Sequence, residues 1–170
     1  MANIIFIHGL ESTGHGFKAN FFRNILPECL TPDFEPFNAD LSFDFLLKKR
    51  MSQLIPILKK QNSWKIIGSS FGGLMGTLYS LQYPNKVELL ILLAPLLAVP
   101  EVNPDKFRPI DFPVIIFHGK NDKIVSTKDS RNRAKLLFKN LQYNVVDDDH
   151  MLQSTVTKIN WKEIIYKLIR

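Results

Sequence analysis

Cysteine is nearly absent from this chain of 170 residues, which contains Cys29 and no other thiol. A single thiol excludes an intramolecular disulfide and a cysteine-based metal site, so a reducing compartment fits the composition best. Long hydrophobic runs are also missing, and none approaches the roughly 20 apolar residues that a membrane-spanning helix needs. The first residues lack the basic region, the long apolar core and the cleavage site of a secretory signal. We therefore expect a cytoplasmic protein with no membrane span.

Positive charge is in modest excess, because 22 Lys and Arg residues against 16 Asp and Glu residues give a formal net charge of +6. A basic chain raises the question of a nucleic-acid partner. The basic residues, however, are scattered through helix-like segments such as Lys48–Arg50 and Lys59–Lys60, without an RNA-binding signature. We interpret them as solvated helix faces and expect no nucleic-acid partner.

Short apolar runs alternate along the chain with longer amphipathic segments, a pattern typical of strand–helix units around a parallel sheet. The predicted strands are Ile4–His8, Asp33–Phe37, Lys65–Gly68, Val87–Leu93, Pro113–His118 and Tyr143–Asp147. The predicted helices are Phe17–Leu26, a helix capped by Ser42 and kinked or split at Pro56, Gly73–Gln82, Thr127–Leu141 and Lys158–Ile169. We expect one α/β domain over residues 1–170, a three-layer αβα sandwich with a mostly parallel sheet of about six strands.

The most informative stretch is I-I-G-S-S-F-G-G, residues 66–73, at the junction of a predicted buried strand and a predicted helix. Residues 68–72 fit G-x-S-x-G, in which a nucleophilic serine occupies a sharp turn and small residues two positions away let the backbone pass. The spacing makes Ser70 the candidate nucleophile. An ordinary glycine-rich turn with an idle serine is the alternative. A phosphate-binding loop fails, because Leu74 and Met75 stand where a Walker motif requires Lys and then Ser or Thr.

A serine nucleophile needs a base and an acid, which in a parallel sheet come from the carboxyl ends of strands. Of the four histidines, His150 alone follows a strand and an acidic residue in the order Ser, Asp, His. Asp122 follows the strand before the last one, and we prefer it as the acid. Residues 147–149, three aspartates next to His150, compete by proximity, but neighbours in a turn rarely direct a carboxylate at the adjacent imidazole.

The negative charge that develops on a carbonyl oxygen during acyl transfer is stabilised by two backbone N–H groups. The first predicted donor is Phe71, because it follows the nucleophile at the positive end of a helix. The second comes from the loop after the first strand, H-G-L-E-S-T-G-H-G, and Leu10 is the preferred residue.

In these motifs the chain resembles a small α/β-hydrolase, with compact bacterial YqiA-like esterases as the closest branch. The resemblance covers I-F-I-H-G-L-E-S, I-G-S-S-F-G-G, V-I-I-F-H-G-K-N-D-K-I-V and D-D-D-H-M-L, nearly the whole chain. It implies a serine hydrolase of esters or thioesters with the triad Ser70, Asp122 and His150. It also implies a small-molecule ester substrate, with no cofactor and no metal.

Two departures from the family pattern bear on the substrate. The usual fold opens with two additional strands, whereas here the first predicted strand already ends in His8-Gly9. The segment between Leu93 and Pro113 has room for a loop but not for a cap domain. We therefore expect a shallow pocket suited to short acyl groups. Its predicted lining is His8, Gly9, Leu96, Leu97 and Met151.

Two other functions remain open at this point. A hydrolase-like binding module without catalytic activity would leave His150 far from Ser70. A nucleotide-binding, flavodoxin-like domain would need a phosphate loop after the first strand, where this chain has the bulky Leu10, Glu11 and Phe17.

Overall fold

A sheet of six parallel strands forms the middle layer of the molecule. The computed structural model describes residues 3–167. The strands are β1 (Asn3–Ile7), β2 (Cys29–Leu30), β3 (Trp64–Ser69), β4 (Val87–Leu93), β5 (Val114–Gly119) and β6 (Leu141–Val146). Their order across the sheet is β2-β1-β3-β4-β5-β6, and every neighbouring pair is parallel. The predicted parallel sheet is confirmed.

Helices cover both faces of this sheet. They are α1 (Phe17–Ile25), α2 (Phe43–Lys59), α3 (Phe71–Gln82), α4 (Thr127–Leu137), α5 (Gln153–Lys158) and α6 (Trp161–Lys167). Successive strand residues point to opposite faces, so Ile5 and Ile7 pack with α2, α3 and α4, whereas Ile4 and Phe6 pack with α1, α5 and α6. Two hydrophobic cores result, one on each side, which confirms the expected three-layer sandwich.

The strand order places the loops that carry the predicted site next to one another. The chain moves outward from β1 to β2 and then returns to place β3 on the other side of β1. Ligands of open α/β sheets bind at such a reversal, beyond the carboxyl ends of the strands. The turn after β3 and the loop after β1 meet there, which brings Ser70 beside Gly9.

The prediction of a strand at Asp33–Phe37 is wrong. The edge strand is β2, which is two residues long and pairs with β1 through Cys29 and Leu30. Pro32 and Pro36 lack the amide hydrogen that a ladder requires. The segment around them is irregular, and its Phe34 is buried in the core.

Three helix predictions need adjustment. Ser42 caps α2, since its hydroxyl accepts a hydrogen bond from the Phe45 amide at 3.1 Å, and the helix continues past Pro56 without a split. Helix α4 ends at Leu137 instead of Leu141, because the chain turns into β6. The predicted C-terminal helix is replaced by α5 and α6, which are separated at 159–160. The last residues of that prediction lie outside the described part of the chain.

The interpretation of Lys48–Arg50 as a solvated helix face is wrong for one residue. Lys48 and Lys49 are exposed, but Arg50 has a relative exposure of 0%. The reason lies in the helical repeat, because Arg50 shares the buried stripe of α2, which contains Leu46, Leu47, Arg50, Met51, Leu54 and Leu58.

Candidate active site

Ser70 occupies a strained turn between β3 and α3. Its backbone has φ 53° and ψ −113°, a conformation that residues other than glycine rarely adopt. Gly68 and Gly72 permit the turn. A Cβ on Gly68 would lie 2.6 Å from the Gly72 carbonyl oxygen, and one on Gly72 would collide with the carbonyl oxygens of Ile7 and His8. The predicted steric reason for glycine at both positions is thus present in the backbone.

His150 approaches this serine from the turn after β6. Its Nε2 lies 3.1 Å from Ser70 Oγ, and its side chain is 17% exposed. The neighbouring carboxylates make other contacts. Asp148 accepts hydrogen bonds from the amide and hydroxyl of Thr155, both at 2.8 Å, and Asp147 pairs with Lys120 at 3.0 Å. The acidic turn therefore holds the loop that carries His150.

Asp122 completes a hydrogen-bonded chain of side chains. Its Oδ2 lies 2.8 Å from His150 Nδ1, while its Oδ1 accepts from the amides of Ile124 at 2.8 Å and Val125 at 2.9 Å. Burial by itself would raise the pKa of Asp122. The hydrogen bonds from Val125, His150 and Ile124 outweigh burial and hold that pKa below its ordinary value. An ionised Asp122 accepts from Nδ1–H, which leaves His150 Nε2 free to accept a proton from Ser70.

A second histidine contacts the same carboxylate, and sequence reasoning did not assign it a role. His118, at the end of β5, is fully buried and its Nε2 lies 3.0 Å from Asp122 Oδ2 and 3.2 Å from Val125 O. Because both neighbours accept, Nε2 carries the hydrogen. Its Nδ1 lies 2.7 Å from the Tyr143 hydroxyl. Burial lowers the pKa of His118 against the opposing effect of Asp122, which favours the neutral ring. The one sequence feature that could have indicated this contact is that His118 lies four residues before Asp122.

The two predicted amide donors, Leu10 and Phe71, lie at the ends of neighbouring strands, β1 and β3. Phe71 is the first residue of α3, so its amide has no partner within that helix. Among residues 3–167, neither the Leu10 amide nor the Phe71 amide donates to another protein group. Both donors are therefore available to an acceptor on a bound molecule.

Two of the five residues predicted to line the pocket, His8 and Leu97, are buried. Leu97 is 0% exposed and His8 is 1% exposed, so neither lines an open surface. Leu97 belongs to the core on the face of the sheet covered by α2, α3 and α4, and the His8 ring packs against Phe34 at a tilt. Gly9 and Leu96 are half-buried and Met151 is exposed, so these three remain predicted contacts.

Residues 37–151, more than half of the chain, match the sequence model of the alpha/beta hydrolase family. The chain belongs to this family. A comparison with curated protein sequences found no match.

Solved structures share the fold over almost the whole chain. Est1E from Butyrivibrio proteoclasticus, solved with ferulic acid bound, has a TM-score of 0.77 at 17% identity, covering 99% of this chain and 88% of that one. Alpha/beta hydrolase domain-containing protein 10 from mouse has a TM-score of 0.72 at 20% identity, with coverage of 98% and 90%. The serine hydrolase CCSP0084 from Cycloclasticus zankles has a TM-score of 0.68 at 14% identity, with coverage of 98% and 92%. At these low sequence identities, the structural similarity shows a shared fold and nothing more specific.

No helix within residues 3–167 has both the length and the apolar character needed to cross a membrane.

Proposed function

We propose that this protein is a serine hydrolase that cleaves carboxylic esters or thioesters through an acyl-enzyme on Ser70. The observation that carries the proposal is the continuous hydrogen-bonded chain from Ser70 through His150 to Asp122, with distances of 3.1 and 2.8 Å. A serine, a histidine and a carboxylate in this arrangement activate the hydroxyl for attack on an acyl carbon. Among esterases, the compact bacterial YqiA-like group remains the branch that we propose.

Acylation begins when Ser70 Oγ attacks the carbonyl carbon and His150 Nε2 takes the hydroxyl proton. The electron pair of the carbonyl π bond moves to its oxygen, which the amides of Leu10 and Phe71 stabilise. Asp122 keeps the hydrogen on Nδ1 and stabilises the imidazolium. When the intermediate collapses, the bond to the leaving alcohol or thiol breaks and His150 returns the proton to that group.

Deacylation repeats these steps with water in place of the serine. His150 removes a proton from a water molecule, which attacks the acyl carbon on Ser70. The second tetrahedral intermediate uses the same two amide donors. Its collapse breaks the bond to Oγ, His150 protonates Ser70, and the carboxylic acid leaves the site.

A short acyl group is the proposed preference, since residues 95–112 form a compact connection with two 3₁₀ turns, Pro100–Val102 and Pro104–Lys106, and no cap domain. The burial of Leu97 leaves less apolar depth than the sequence indicated. We expect kcat/KM for p-nitrophenyl esters to fall from acetate and butyrate towards longer chains. A preference for the palmitate ester would contradict this proposal.

The nucleophile is tested with a matched pair of serine variants. Ser70→Ala is expected to abolish turnover of p-nitrophenyl butyrate and labelling by a fluorophosphonate, while the thermal midpoint stays close to that of the wild type. Ser69→Ala is the control, because Ser69 is the serine directly before Ser70 and is buried at the end of β3. This control should retain both turnover and labelling.

Two results would overturn the proposal. Full activity in Ser70→Ala would place the chemistry elsewhere. A wild type that is folded but is neither labelled nor active on any ester or thioester would support the non-catalytic binding module.

A further inference from the structure

Arg50 is a buried cation that forms no ion pair with the residues that the structure describes. It is 0% exposed, and none of the ion pairs among residues 3–167 includes it. Burying a guanidinium is costly unless its N–H groups find acceptors. All of the acceptors that Arg50 uses are backbone carbonyls, those of Glu35, Gly9 and Leu10.

Two of those carbonyls belong to the loop that carries a predicted oxyanion donor. Arg50 Nη1 lies 3.2 Å from Gly9 O, and Nη2 lies 2.8 Å from Leu10 O. The planar fork of a guanidinium therefore holds two successive peptide groups in a fixed relative orientation. No other side chain among the described residues donates to both of these carbonyls.

The orientation of the first peptide group decides where the Leu10 amide points. The carbonyl of Gly9 and the N–H of Leu10 belong to one planar trans peptide and point in opposite directions. His8 Nδ1 at 2.9 Å and the Ser12 amide at 3.3 Å also donate to Gly9 O. Rotating this peptide group, and the Leu10 N–H with it, would break all three hydrogen bonds.

The same guanidinium contacts the residue that supplies the other donor. Its central carbon lies 5.3 Å from the centre of the Phe71 ring, a cation–π geometry. Arg50 thus touches the backbone of one predicted donor residue and the side chain of the other, so its positive charge lies next to both.

We propose that Arg50 is a positioning residue for the oxyanion hole, which sets the direction of the Leu10 N–H and adds positive charge behind it. The proposal depends on the proposed serine hydrolase function, since it assigns a role in the same site. Loss of an entire oxyanion donor lowers kcat by about 10²- to 10³-fold in other hydrolases. A donor that is misdirected but present should cost less, about 10- to 100-fold.

The test combines two substitutions at Arg50 with two kinetic readouts. Arg50→Met removes the charge and the fork, whereas Arg50→Lys keeps a charge but cannot hold both carbonyls. We expect kcat for p-nitrophenyl butyrate to fall in the order wild type, Lys, Met, with little change in KM. The Ki of a short-chain alkyl trifluoromethyl ketone, whose adduct with Ser70 carries an oxyanion, should rise by a factor close to the loss in kcat.

The Ki separates positioning from a purely structural role. A variant that merely folds poorly lowers the concentration of active enzyme, which does not change the Ki of the remainder. Arg133→Met is the matched control, because Arg133 also donates to two backbone carbonyls, those of Val99 and Val102, at 2.9 and 3.0 Å. We expect its Ki to equal that of the wild type. Unchanged kcat and Ki in folded Arg50 variants would overturn the proposal.

A measurement on the wild type covers the case in which neither Arg50 variant folds. In a crystal structure with the trifluoromethyl ketone, the Leu10 nitrogen should lie within about 3 Å of the adduct oxygen, and Gly9 O should remain bonded to Arg50. A Leu10 amide that points away from this oxygen would overturn the proposal. A wild type that forms no adduct and has no esterase activity would instead contradict the proposed function.

Discussion

Asp122 has an unusual position among the side chains of the site, because two histidines share one of its oxygens. Oδ2 lies 2.8 Å from His150 Nδ1 and 3.0 Å from His118 Nε2. His118 is fully buried and supplies a second imidazole donor to the same oxygen. A buried carboxylate with four donors has little freedom to rotate, so His150 meets an acceptor that is already in place.

Removing the second histidine should therefore affect both stability and catalysis. We expect His118→Phe to lower the free energy of unfolding by about 1–3 kcal/mol, because one donor to a buried charge is lost. We also expect kcat to fall about tenfold as Asp122 becomes less fixed. His118→Gln retains an amide donor and should lose less of both, as measured by urea unfolding and ester hydrolysis. Equal kcat in the wild type and His118→Phe would exclude this positioning effect.

At the scale of elements, the turn between β3 and α3 depends on a close approach to β1. The first turn of α3 passes directly over the end of β1, and a side chain on Gly72 would meet the carbonyl oxygens of Ile7 and His8. Since these atoms are backbone, they cannot move without shifting the strand. The packing of α3 against β1 therefore requires the absence of a Cβ at this position.

We predict that Gly72→Ala lowers the free energy of unfolding by about 3 kcal/mol or more, since the added methyl has no space. Gly9→Ala is the comparison, because a Cβ there would find its nearest neighbours at 3.5 and 3.6 Å, which is ordinary van der Waals contact. Its effect on stability should stay within about 1 kcal/mol. Chemical denaturation measures both variants, and similar losses in the two would contradict the steric explanation.

The elements with long, regular sequence patterns were predicted most closely, and the shortest strand was missed. The run V-E-L-L-I-L-L predicts β4 at its observed bounds, because a central strand is apolar on both faces. Edge strand β2 was missed, since two residues contain no repeat. Spacing and strand ends predicted Ser70, Asp122 and His150, and the structure brings these three side chains together. Arg50 was assigned to the surface by composition, although its place between Leu47 and Leu54 on the helical repeat indicated burial. Which carbonyls it binds depends on tertiary contacts 40 residues apart, which no local pattern contains.

For the molecule as a whole, two buried histidines make stability depend on pH. Burial lowers the pKa of His8 and of His118 below their ordinary value near 6.5. For each histidine, the unfolded chain therefore binds more protons than the folded chain at pH values between the lowered pKa of the folded state and the ordinary pKa of the unfolded state. The contribution of these neutral histidines to the free energy of unfolding is fully present above the pKa of the unfolded state. It is lost as the pH falls towards the lowered pKa of each histidine in the folded state.

The expected outcome is a thermal midpoint that decreases as the pH is lowered from about 7 to about 5. His118→Gln removes one of the two contributions and should reduce the slope of midpoint against pH. A slope that is unchanged in His118→Gln would exclude the assignment.

The single thiol has a practical consequence for the study of this protein. Burial raises the pKa of Cys29 to about 12, and the side chain is 5% exposed, so a reactive thiolate is almost absent at neutral pH. Thiol-reactive dyes should therefore leave the wild type almost unlabelled at neutral pH. An Ile124→Cys substitution, at a position that is 75% exposed, would add one addressable thiol on the loop that carries Asp122. A fluorophore would then attach to this loop and not to Cys29.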